Sequence, residues 1–275
     1  RPWIDENEMS PMMPISFTAR DGLTVNGYLT IPKNSDGKNL PLIVNPHGGP
    51  ASRDVWGYRG ETQFLASRGY AVLSMNFRGS TGYGRKHVIE GNKQWGRKMQ
   101  DDVTDSVNWA VEQGYANPDK VCIHGASYGG YAVMAGITKT PKMYKCAVNY
   151  VGVTDMGLLF SKMPKVWEIW EEQQKVEIGD YDNEKDYLDA VSPINLVDKI
   201  ETPLYIVHGV RDWRVPIQHA QKLRKELEKN GKKLGEDYWW LVKGDEGHGF
   251  VKEANNMELY TELEKFFGRY IGEDS

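Results

Sequence analysis

From about residue 40 onward, short apolar runs alternate with longer stretches of helical periodicity, and this alternation limits the chain to a sheet built largely from βαβ units. The runs are Leu42 to Asn45, Ala71 to Asn76, Val121 to His124, Ala147 to Val153, Leu204 to His208 and Tyr238 to Val242. Candidate helices lie between them, near Gly60 to Ser67, Asp101 to Glu112, Tyr128 to Ile137, Ile217 to Glu228 and Asn255 to Phe267. Upstream, the strand-like segments Ile15 to Arg20 and Leu23 to Ile31 flank Asp21-Gly22, a dipeptide suited to a tight reversal, and predict an antiparallel hairpin. The expected class is α/β, with a mostly parallel central sheet, an N-terminal antiparallel hairpin and helices on both faces. Met156 to Ala190 breaks the alternation, holding Trp167, Trp170 and Tyr181 among many charges and no clear strand, and reads as an inserted cap. With no repeat, linker or shift in composition, residues 1–275 are expected to form a single domain.

Composition excludes several classes of function. A chain of 275 residues can bury roughly three quarters of the surface that its unfolded form exposes. Its 40% hydrophobic and 26% charged residues are a globular balance, which excludes disorder as the main description. Thirty-four basic residues against 38 acidic ones, with no basic run, argue against nucleic acid as a partner. The longest apolar stretches, such as Ala71 to Met75, fall far short of the roughly 20 residues that cross a bilayer. Cys122 and Cys146 are too few for a disulfide framework or a metal cage and sit in strand-like runs, so buried thiols are expected. Arg1-Pro2-Trp3 shows neither an initiator Met nor a leader pattern, which suggests a piece of a longer protein and favours a cytoplasmic setting, with the native N-terminus left open.

Gly125-Ala126-Ser127-Tyr128-Gly129 is a G-x-S-x-G pattern that follows the run Val121-Cys122-Ile123-His124 and opens a helix-compatible stretch. This strand-turn-helix context is that of a nucleophile elbow, whose strained turn tolerates no bulk two residues to either side of the serine. Ser127 is therefore the candidate nucleophile. A hydroxyl needs a base, and His248 in Gly247-His248-Gly249-Phe250 follows the final run, with small neighbours that leave the imidazole free. His47, His87, His124 and His219 lie at earlier strand ends, in a polar loop or in a charged helix, and read as structural. The carboxylate that orients the base should fall between them in chain order; Asp212, after Leu204 to Gly209, meets that order, with Asp155 as the runner-up. Asp245 and Glu246 read as loop residues. The oxyanion donors are the Tyr128 N–H and the turn His47-Gly48-Gly49-Pro50. This chemistry requires no cofactor and no metal.

The combination resembles the catalytic domain of the prolyl oligopeptidase family of serine peptidases, in the branch of acylaminoacyl peptidases and dipeptidyl-peptidase-like enzymes. The likeness rests on Arg20-Asp21-Gly22-Leu23 before Gly27-Tyr28-Leu29, His47-Gly48-Gly49-Pro50, Asn76-Phe77-Arg78-Gly79-Ser80, Gly125 to Gly130, His208-Gly209 leading to Asp212, and Gly247-His248. It implies an α/β-hydrolase fold and a peptide substrate, with Ser127 as nucleophile, Asp212 as acid, His248 as base, and Arg214 on a carbonyl of the bound peptide. Tyr128, Val151 and Val215 occupy the positions the family uses around the residue before the scissile bond. Where prolyl oligopeptidase places a tyrosine hydroxyl in the oxyanion hole, this chain has His47-Gly48-Gly49, which points to the Gly49 amide. The family's N-terminal β-propeller is absent from the chain, and an uncovered apolar face near Trp167 and Trp170 would favour homo-oligomers. A carboxylesterase using the same residues on small esters is the alternative, and a catalytically inactive interaction domain is a third reading.

Overall fold

Every apolar run proves to be a strand, because side chains on both faces of each run have somewhere apolar to go. In the computed structural model, which describes residues 4–33, 35–273 and 275, the order begins β1 (Met12–Thr18), β2 (Thr24–Thr30), β3 (Leu40–Val44), α1 (Gly60–Ser67) and β4 (Ala71–Asn76). It continues α2 (Arg85–Ile89), α3 (Lys98–Glu112), β5 (Ala116–Ala126), α4 (Tyr128–Lys139), β6 (Cys146–Tyr150) and α5 (Met156–Ser161). The last part is α6 (Glu171–Glu177), α7 (Lys185–Ala190), β7 (Leu204–Gly209), α8 (Gln218–Lys229), β8 (Tyr238–Lys243) and α9 (Glu253–Ile271). The Arg1-Pro2-Trp3 segment lies outside the described residues.

The strands form one sheet in the order β1-β2-β4-β3-β5-β6-β7-β8, antiparallel through β1, β2 and β4 and parallel from β4 to β8. Successive residues alternate between two cores, as the period of two requires. Leu204 and Ile206 of β7 face the core packed by α3, α4 and α8, while Tyr205 and Val207 face the core packed by α1 and α9. Burial on both faces is why these strands read as continuous apolar runs. The segment that breaks the pattern holds α5, a 3-10 turn over Lys165–Trp170, α6 and α7, with no strand among its described residues.

The structure corrects the reading of the cysteines. Cys122 and Cys146 are register partners on neighbouring strands β5 and β6, with Cα atoms 4.8 Å apart, and they form a disulfide. That separation lies within the range a disulfide spans. Two cysteines are indeed no framework, but strand register, which counting does not see, places this pair face to face.

At the edge of the hairpin, buried Arg78 donates to both Asp21 and Asp102 at 2.7–2.9 Å, tying the Asp21-Gly22 turn to the end of β4. The Arg78 hydrogen bonds hold the Asp21 carboxyl far below the usual carboxylate range.

His219, on the inner face of α8, is fully buried; the Thr154 amide donates to its Nδ1 at 3.2 Å, which requires a neutral ring. Burial pushes its pKa down to about 4 from the ordinary 6.5. Between these values the unfolded chain binds a proton that the folded chain refuses, so stability is complete above about pH 6.5 and declines as the pH falls toward 4. We expect this residue to withdraw about 3 kcal/mol across that window. Urea unfolding at pH 7 and pH 4 checks it: His219→Gln should lose less stability on acidification than the wild type, and equal losses would remove His219 as the cause.

Candidate active site

All the candidate residues emerge at the carboxyl ends of parallel strands, where α/β sheets leave their crevice. Ser127 follows β5 and starts α4 with φ +60° and ψ −119°, a region that a non-glycine residue occupies only when its surroundings enforce it. The enforcement is visible. The Ser127 amide donates to the Tyr150 carbonyl at 3.0 Å, and a Cβ added at Gly125 would lie 2.6 Å from the Gly129 carbonyl oxygen. As the first residue of α4, Tyr128 has an N–H with no acceptor inside the helix.

Asp212, in the loop after β7, has a fully buried side chain. Its Oδ1 accepts from the Arg214 and Val215 amides, both at 2.9 Å, and its Oδ2 accepts from His248 Nδ1 at 2.7 Å. Placing the proton on Nδ1 leaves Nε2 as the ring's acceptor. The two loops are also joined directly, since the Arg211 amide donates to the Glu246 carbonyl at 2.8 Å. Buried Glu246 is more than loop decoration: its carboxylate accepts from the Val251 and Lys252 amides and from Asn255 at 2.7–3.0 Å, clamping the segment that follows His248. Tyr150 links both sides of the site, for its carbonyl holds Ser127 while its hydroxyl accepts from the Phe250 amide.

Asp155, the other acid considered, is engaged elsewhere. It caps α5 through the Leu158 amide at 2.9 Å and pairs with Lys222 at 2.8 Å. The other histidines have structural partners. His47 stacks on Phe77 with centroids 4.3 Å apart and reaches the Gly48 carbonyl and Ser80; His124 contacts Glu61 at 3.0 Å; His87 contacts backbone carbonyls.

Two clefts meet at Ser127, and both are lined by Gly49, Arg214 and His248 as well. One, of about 590 Å³, is largely apolar and aromatic, walled by Tyr128, Trp95, Val153, Val215, Trp167 and Trp170. Tyr128 and Val215 are among its lining residues, and Val151 is not. Val151 is buried with φ +46°, its amide donating to the Val207 carbonyl, while Val153 lines the cleft. Sequence reasoning also passed over Trp95, which meets Tyr128 edge-on at 4.6 Å. Its signal was a lone tryptophan in a polar stretch. The second cleft, about 440 Å³, is polar and charged. The turn that contributes Gly49 lies against the elbow: a Cβ added at Gly48 would be 3.4 Å from Ser127 Cβ. Arg214 stacks over Trp213 at 5.2 Å and has no acidic partner among the described residues.

The prolyl oligopeptidase family model matches residues 56–274. The chain belongs to that family of serine peptidases. It is 39% identical to dipeptidyl aminopeptidase BIII of Pseudoxanthomonas mexicana and 33% identical to dipeptidyl peptidase family member 6 of Caenorhabditis elegans. In each case the match covers 99% of this chain and 40% of the relative, so the chain spans about two fifths of the curated proteins it matches. A puromycin-hydrolyzing peptidase of Mycobacterium tuberculosis superposes with a TM-score of 0.90 at 26% identity, over 98% of this chain and 40% of that one. The fold is the α/β-hydrolase fold of these family members.

Proposed function

We propose that the chain is the catalytic portion of a serine peptidase that cleaves short peptides, acting through an acyl-enzyme on Ser127. The observation that carries this is the buried Asp212 carboxylate holding His248 Nδ1 at 2.7 Å in the same cleft as a serine on a strained elbow. His248 Nε2 takes the Ser127 proton as Oγ bonds to the substrate carbonyl carbon. The resulting oxyanion accepts from the Tyr128 and Gly49 amides, each such donor contributing about 10²–10³ in rate. Collapse breaks the C–N bond as His248 returns the proton to the leaving amine, and water repeats the sequence to release the acid. Arg214, its guanidinium held over Trp213, offers donors to a carbonyl of the bound chain. The names of the relatives, a dipeptidyl aminopeptidase and a dipeptidyl peptidase family member, support a peptide over a simple ester as the substrate of this chain.

The apolar cleft would receive the residue before the scissile bond. A charged side chain seated against its apolar and aromatic walls would lose much of its hydration, which costs several kcal/mol for an ion, with Glu177 and Arg214 the charged groups of the lining. Substrates with Phe, Leu or Met at that position are therefore expected to exceed those with Lys or Asp by at least about 100-fold in kcat/KM. Competition assays on a peptide series check this, and a preferred charge would contradict the assignment. Fluorophosphonate labelling of wild type and Ser127→Ala tests the nucleophile, and turnover of matched peptide and short-chain ester substrates tests the substrate class.

A further inference from the structure

The charged cleft on the other side of Ser127 carries three arginines, Arg53, Arg59 and Arg214, against two acids, Asp54 and Glu61. Its two acidic side chains are already engaged. Arg59 meets buried Asp54 at 2.6 Å, and Glu61 is bonded to His124 at 3.0 Å and to Asn45 at 3.4 Å. Arg53 and Arg214 are left, neither with an acidic partner among the described residues. Arg214 borders both clefts and is committed over Trp213, whereas Arg53 lines the charged cleft alone. The Arg53 guanidinium packs on Gly82, where a Cβ would collide with it, so backbone supports its head without using its donors.

An acyl chain seated in the apolar cleft sends its leaving amine away from that cleft, and His248, which must protonate the amine, borders the charged one. We propose that Arg53 is the specificity residue of the leaving side and binds the free carboxylate at the end of a short leaving segment of one or two residues. A guanidinium takes a carboxylate through paired donors, and a carboxamide in the same place offers no charge. The substrates so selected are peptides that end soon after the cleaved bond, as opposed to long chains cut internally. This inference rests on the peptidase reading.

The test uses pairs of peptides identical up to the scissile bond, with Phe before it, whose leaving segment is Ala or Ala-Ala, each as free acid and as amide. At one of the two lengths the wild type should favour the acid about tenfold in KM, the size of one partly exposed charge-assisted contact. Arg53→Gln should bring that acid-to-amide ratio near one, and Arg53→Lys should keep part of it. Because each protein supplies its own ratio, partial misfolding cancels. A ratio near one in the wild type at both lengths overturns the proposal, as does a preference that survives Arg53→Gln or disappears only in Arg214→Gln. A wild-type chain that cleaves none of these peptides overturns the peptidase reading itself, and the role of Arg53 with it.

Discussion

Ser127→Ala is expected to lower kcat/KM for peptide hydrolysis by about four to six orders of magnitude while leaving the fold in place. The residues act as a unit, so once the nucleophile is gone His248 and Asp212 have nothing to activate, and only oxyanion and binding effects remain. The fold should survive because the elbow is held from outside the side chain. The Ser127 amide on Tyr150 and the close contact of Gly125 with Gly129 are backbone features. Ser127 Oγ has no hydrogen bond of its own among the described residues, and catalytic contacts of this kind commonly tighten only when substrate is bound. Measured rates on a short peptide, with thermal unfolding as a control, decide the matter. Retention of more than about a tenth of the activity would rule out Ser127 as nucleophile, since that loss is far smaller than nucleophile removal produces.

The sheet was legible in the sequence because its central strands are buried on both faces, and physics then demands unbroken apolar runs. Every parallel strand from β3 to β8 was marked this way, and the Asp21-Gly22 turn marked the hairpin. Strand ends were less visible. β5 reaches back to Ala116 across Asn117-Pro118, which reads as loop chemistry, and β6 stops at Tyr150 because Val151 turns into positive φ. The same turn hides Val151 and exposes Val153 to the cleft, a change of face that no side-chain pattern announces. Register was also out of reach, and with it the Cys122–Cys146 pairing. The candidate site was legible where a short motif carries its chemistry, at Ser127 and His248. It was illegible where the side chains come from scattered loops and have ordinary neighbours in sequence, as with Trp95, Arg53 and the clamp made by Glu246.

Asp212→Asn is expected to lower kcat/KM by about 10⁴ with little change in KM, whereas Asp155→Asn should leave the rate within about twofold. The difference follows from what each carboxylate faces. Oδ1 of residue 212 accepts from the Arg214 and Val215 amides, so an asparagine keeps its carbonyl oxygen there and turns its amide toward His248. That amide is a donor, and it forces His248 Nδ1 to become the acceptor. The ring proton then moves to Nε2, which can no longer take one from Ser127. Turning the amide the other way would set it against two backbone N–H groups, so no rotamer restores the base. At residue 155 an asparagine still caps α5 through the Leu158 amide, and the partly exposed contact with Lys222 contributes little. Thermal unfolding separates a wrong tautomer from a disturbed fold. With the base lost, kcat should fall in Asp212→Asn while its unfolding midpoint stays near that of the wild type. If Asp155→Asn were the more damaging change, the Asp212–His248 hydrogen bond would have to be structural, and the acid would need to be sought on the loop after β6.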